Sequence, residues 1–157
     1  AVVPAGRDDF CSGYFWAHGD AYRFGPKIGR TILKCFWLEM ATYSVDRCCL
    51  AALSLRYQAS FIPILRTMAL VVLEAYGEPK DVEREPHKFY QATLAEPTHE
   101  TFIDVAEHYG TSVAVIRAIE DEIMAQGPRC DFATFPVPLR LAIENMIQLD
   151  CPEWTPN

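Results

Sequence analysis

The run TFIDVAEHYGTSVAVIRAIE, from Thr101 to Glu120, decides how the second half of this chain is read. Phe102, Val105, Ala106 and Tyr109 recur at spacings of three and four, the period of one helix face. Ala106 is small enough for a second helix to approach closely. Gly110 offers the left-handed backbone that ends a helix without a Cβ penalty. Thr111 or Ser112 supplies a hydroxyl to cap the next helix, whose inner face is Val113, Ile116 and Ile119. Two short helices therefore meet at one tight corner.

Working outward, Phe89 to Leu94 is a short strand-like run, followed by a polar turn from Ala95 to Glu100. Beyond the corner, Phe132, Phe135, Val137, Leu139, Leu141 and Ile143 give the segment an extended character, broken by Pro136 and Pro138. The order expected is strand, helix, helix, strand. Residues 88–144 resemble a LysM module on Val105-Ala106, Tyr109-Gly110-Thr111, Ile116 and Leu141-Ala142-Ile143. The resemblance implies a βααβ fold, with Ala106, Tyr109, Gly110, Thr111, Ile116, Leu141 and Ile143 as its signature. It also implies glycan recognition of the N-acetylglucosamine type through two loops. In the first loop only Thr101 fits the usual Gly-Asp-Thr. Glu120 stands where the family has asparagine, and Pro136-Val137-Pro138 replaces the usual Pro-Gly. Negligible affinity for N-acetylglucosamine oligomers is the expectation. The same corner is similar to a helix-turn-helix through Ala106, Gly110, Ser112, Ile116 and Ile119, although Glu120, Asp121 and Glu122 would then face phosphate.

Upstream, residues 1–25 mix Gly6, Gly13, Gly19 and Gly25 with Phe10, Tyr14, Phe15, Trp16, Tyr22 and Phe24, and read as an irregular aromatic arm. From Pro26, Ile28, Ile32, Leu33, Phe36, Trp37, Met40 and Tyr43 follow at helical spacing. Asp46 continues or restarts the helix to about Tyr57. Pro63 opens a second apolar helix, Ile64 to Tyr76, which Gly77 and Pro79 end. Residues 26–77 are thus expected to form a helical hairpin with apolar residues on several faces. EPKDVEREPH, residues 78–87, reads as a linker, and residues 145–157 read as an extended tail. The fold class expected is α+β, mainly α.

The chain has 157 residues and net charge −7, split as +2 over residues 1–76 and −9 over 77–157. Nucleic acid demands clustered Lys and Arg, which the acidic half lacks. Arg56 and Arg66 interrupt the longest apolar run, so no transmembrane span is expected; peripheral attachment to a membrane stays compatible. Of six cysteines, no pair has zinc-knuckle or redox spacing. Cys35, Cys48 and Cys49 sit in apolar helical sequence and read as free, buried thiols.

His99-Glu100 begins a zinc-protease motif, but Ile103 stands where its second histidine belongs. Asp104 and His108 share a helix face, read as exposed and polar. Neither a Gly-x-Ser-x-Gly elbow nor a phosphate loop occurs. No catalytic residue, metal or cofactor is therefore assigned. The reading that follows is a non-enzymatic accessory subunit of a larger protein assembly. Its interface is expected at Phe15, Trp16, Phe36, Trp37, Met40 and Trp154, since the apolar side chains of the first half ask for external cover. The opening Ala1-Val2-Val3-Pro4 reads as a processed start, which would suit a mitochondrial complex. A glycan-binding LysM protein and a helix-turn-helix regulator are the alternatives.

Overall fold

The computed structural model describes residues 9–10, 13–34, 44–78 and 94–156. The chain is mainly helical with one small antiparallel sheet, an α+β architecture. Strands β1 (Asp9–Phe10), β2 (Gly13–His18) and β3 (Ala21–Pro26) lie in the order β1-β2-β3. β2 and β3 pair from Gly13 opposite Pro26 to His18 opposite Ala21, leaving Gly19 and Asp20 as a two-residue turn. Gly19 takes φ +63°, a conformation that tight hairpin turns require. Tyr14 and Trp16 are buried on one face, while Phe15 meets the half-exposed Phe24 across the strands with ring centroids 5.3 Å apart. Over residues 13–25 the expected irregular arm is thus corrected to a hairpin. Its period-two alternation spans only six residues and is masked by the density of glycine.

Six α-helices are described: α1 (Ile28–Leu33), α2 (Val45–Ala59), α3 (Leu65–Tyr76), α4 (His99–His108), α5 (Val113–Gln126) and α6 (Val137–Asp150). Ser44 caps α2, Thr98 and Thr101 form a reciprocal capping box on α4, and Ser112, not Thr111, caps α5. α2 and α3 pack along each other. Gly77 closes α3, its amide donating to the carbonyl of Leu73. Phe36, Trp37 and Met40 lie outside the described residues, as do most of the 78–87 linker and the 89–93 part of the expected first strand.

The second expected strand is corrected outright. Leu139 to Ile143 belong to α6, so Leu141 and Ile143 are helical rather than paired in a sheet. Pro136 stands at the helix N-cap and Pro138 in its first turn, where a missing N–H costs nothing. Prolines that look like strand breakers in fact open a helix. The buried Ile143, Met146, Ile147 and Asp150 then follow at spacings of three and four, extending α6 into what was expected as an extended tail. Helix, helix, helix therefore replaces helix, helix, strand around Gly110. The LysM resemblance is left with the corner alone.

α1 and α6 cross at Gly29. A Cβ there would collide with the Met146 carbonyl, so the two backbones touch as only glycine allows. One core cluster joins Trp16, Ile28, Leu65, Met68, Val105, Ile116 and Met146 from both halves of the chain. Of the first-half side chains expected to need cover, Ile28, Ile32, Leu53, Ile64, Leu65, Met68, Val71 and Val72 are buried internally, while Leu50 and Leu70 are exposed. The physical reason is that the hairpin and α4 to α6 supply the cover. No helix among the described residues is long and apolar enough to cross a membrane.

Candidate functional site

The end of α2, the length of α3, the middle of α5 and residues 94–96 enclose a cleft of about 880 Å³. Its apolar surface comes from Leu70, Leu73, Leu94 and Met124. Leu70, Leu94 and Met124 are 45%, 42% and 46% exposed, so three of the chain's exposed large apolar side chains converge here. Leu70 and Leu73 stand on α3 three residues apart, with Glu74 and Thr67 on the same side of the helix.

At one end of the cleft, buried Glu120 ties α5 to the start of α3. Its Oε2 accepts the backbone N–H of Ile64 at 3.1 Å, the Thr67 hydroxyl at 2.6 Å and Arg66 Nε at 3.0 Å, and its Oε1 accepts Arg66 Nη2 at 3.3 Å. Ile64 is the N-cap residue of α3 and has no capping side chain of its own. A carboxylate from another helix takes that role, and its charge suits the positive end of α3. Ile64 also holds φ +71°, the only positive φ outside glycine among the described residues. That is a strained state for a β-branched residue. On the opposite rim, Arg56 and Glu78 form an exposed ion pair at 3.4 Å, and the Ala95 N–H donates to Ser60 Oγ at 3.1 Å.

A second polar cluster lies under the hairpin. Asp150 Oδ1 accepts the Tyr14 hydroxyl at 3.1 Å; its Oδ2 accepts the Tyr109 hydroxyl at 2.7 Å and the Arg30 N–H at 3.2 Å. The Tyr109 oxygen in turn accepts the Ile28 N–H at 3.0 Å. Burial, and the neighbouring Asp150 carboxylate after it, hold the Tyr109 hydroxyl well above the ordinary tyrosine range. All three side chains are buried. The arrangement joins the hairpin, α1, the α4 corner and α6.

The residues singled out from the sequence fall at different depths. Trp16 is fully buried, its Nε1 donating to the Pro26 carbonyl, so it is not a docking residue. Phe15 is half-buried in the hairpin, and Trp154 packs partly buried against the core. Ala106, Tyr109 and Ile116 are core, Gly110 takes φ +66°, Thr111 is half-buried and Leu141 is exposed. Asp104 and His108 do not form an exposed polar face. Asp104 accepts the Ala17 N–H at 2.9 Å, and the His108 ring lies 4.3 Å from Tyr14 and 5.2 Å from Trp16, because the hairpin covers this side of α4. Cys48 and Cys49 are buried thiols outside any disulfide, and burial raises the pKa of both. Sequence reasoning missed the cleft altogether. Its one signal in the sequence was Met124, an apolar side chain one turn after Asp121 on the exposed side of α5.

Arg117 stacks over Phe102 at 4.2 Å, and Asp121 and Met124 follow on exposed positions of α5, so the outer surface of that helix carries mixed charge. Among the described residues no three His, Cys, Asp or Glu side chains gather as a metal shell. No protein-family model, curated protein or solved structure matches the chain.

Proposed function

We propose that this chain is a non-catalytic accessory subunit that docks on another protein through the cleft between α3 and α5. The observation that supports the reading is the convergence of Leu70, Leu94 and Met124, each more than two-fifths exposed, in one concave site. Burying a large apolar side chain contributes roughly 1.5 to 3 kcal/mol when complete. Covering three partly exposed ones in one place favours association in a way that scattered surface residues do not. The docking surface is therefore placed here rather than on the aromatic hairpin.

The test is site-specific cross-linking. A photoreactive residue at Met124 should trap one defined protein, which on purification rebuilds a stoichiometric complex with the full chain. The same probe at exposed Ala133 should not trap it, and Leu70→Glu should dissolve the rebuilt complex. Equal adducts at both positions, or a complex indifferent to Leu70→Glu, would remove the reading.

A further inference from the structure

Resting on that docking reading, we infer that the occupant of the cleft is a lysine- or arginine-bearing amphipathic helix of the partner protein. Five carboxylates line the site against two guanidiniums. Both guanidiniums are engaged, Arg66 by Glu120 and Arg56 by Glu78. Glu74, Glu96 and Asp121 make no ion pair among the described residues. Among the described residues, an apolar floor is thus bounded by carboxylates whose charge no neighbouring cation cancels. A cationic group with an apolar body complements both features, and a purely apolar or acidic occupant complements only one or neither.

The walls decide between a helix and an extended peptide. α2, α3 and α5 use their backbone groups internally, and the extended wall has two of its backbone groups engaged. The Ala95 N–H goes to Ser60, and the Glu96 carbonyl accepts a bond with His18 Nε2 at 3.0 Å. Among the described residues no sheet edge lines the cleft, so strand addition finds none there to pair with. Recognition must run through side chains set at helical spacing, as when an amphipathic helix lays its apolar face in a groove. The thioether of Met124 suits such a surface, because its unbranched chain repacks around different apolar anchors. The cations of the incoming helix, on the borders of its apolar face, then reach Glu74, Glu96 and Asp121.

The probe is a fluorescein-labelled Leu/Lys peptide of about five helical turns, with Leu at i, i+3, i+4 and i+7 and Lys elsewhere. Two controls accompany it, a scramble of identical composition and a Leu/Glu counterpart. Anisotropy titration of the full chain should show saturable one-to-one binding of the amphipathic Leu/Lys peptide only. Leu70→Glu should weaken it about tenfold or more, equivalent to about 1.4 kcal/mol. Asp121→Lys, at an exposed position that leaves the fold intact, should weaken it likewise. Raising salt should weaken what remains. Equal binding of the scramble overturns the inference, because charge alone then accounts for it. So does binding unaffected by both substitutions. A third overturning result is binding seen only when residues 80–92 are replaced by a Gly/Ser linker, which assigns the cleft to the chain itself. If cross-linking from Met124 yields a partner that docks through some other kind of segment, the inference falls while the docking function stands. If the peptide binds yet no partner is trapped, the chemistry of the cleft stands and the docking function falls.

Discussion

Glu120 caps a helix to which it does not belong: its carboxylate accepts the N–H of Ile64, fifty-six residues earlier in the chain, at 3.1 Å. The bond fixes where α3 starts, and with Thr67 and Arg66 it fixes how α3 sits against α5.

Glu120→Ala strips the acceptor from a buried N–H, a buried hydroxyl and a half-buried guanidinium at once. A loss of about 3 kcal/mol is expected. Glu120→Gln keeps an oxygen for Ile64 and should lose less, about 1 to 2 kcal/mol. Urea unfolding of both variants checks this. Two variants as stable as the parent would mean that the cap contributes nothing.

At Gly29 two effects oppose each other. Helix propensity favours alanine by about 1 kcal/mol, while a Cβ would strike the Met146 backbone. Overpacking costs about 1 to 3 kcal/mol or more where the obstacle is main chain. Gly29→Ala should therefore lower the melting temperature. A rise would show that α1 and α6 do not touch as described.

The hairpin gives a two-sided test. Trp16→Ala empties a fully buried site and should cost about 3 to 5 kcal/mol. Tyr22→Ala, at a position 52% exposed on the same hairpin, should stay within about 0.5 kcal/mol of the parent. Comparable losses at the two positions would restore the irregular-arm reading of residues 1–25.

Alkaline pH should destabilise the fold. Burial pushes the Cys130 thiol up to about 12 and raises the Tyr109 hydroxyl well beyond its ordinary value. Both groups therefore hold their protons more tightly folded than unfolded. Their contribution is complete below the unfolded pKa values, near 9 for the thiol and about 10 for the phenol. It is lost as pH rises through the folded values. Melting temperatures should fall from pH 9 upward, and Tyr109→Phe should flatten the part of the fall above about pH 10. A profile unchanged by Tyr109→Phe would show that the Tyr109 hydroxyl does not contribute to it.

The corner at Gly110 was legible because its evidence is local: periodicity, one glycine, one capping hydroxyl. The end of α3 at Gly77 was legible for the same reason. α6 was misread because apolar residues at alternate positions from Val137 to Ile143 imitate a strand. Its helical stripe continues only beyond that stretch, through Met146 and Ile147. The cleft was illegible because its walls come from segments far apart in sequence, and no residue in it carries a motif. Glu120 shows the difficulty. Read along the chain it is one of three acids on an outer helix face; in space it is buried, and its partners lie on α3.

The bond from Tyr14 to Asp150 spans 136 positions. On a ribosome, Tyr14 is made 136 positions before its anchor, Asp150. The inner face of the sheet therefore stays unsealed until that anchor has been made. Closing it brings together groups of very high sequence separation, the slow kind of folding step. Nascent chains stalled before residue 150 should consequently expose Trp16 to quenchers and proteases, and release of α6 should protect it.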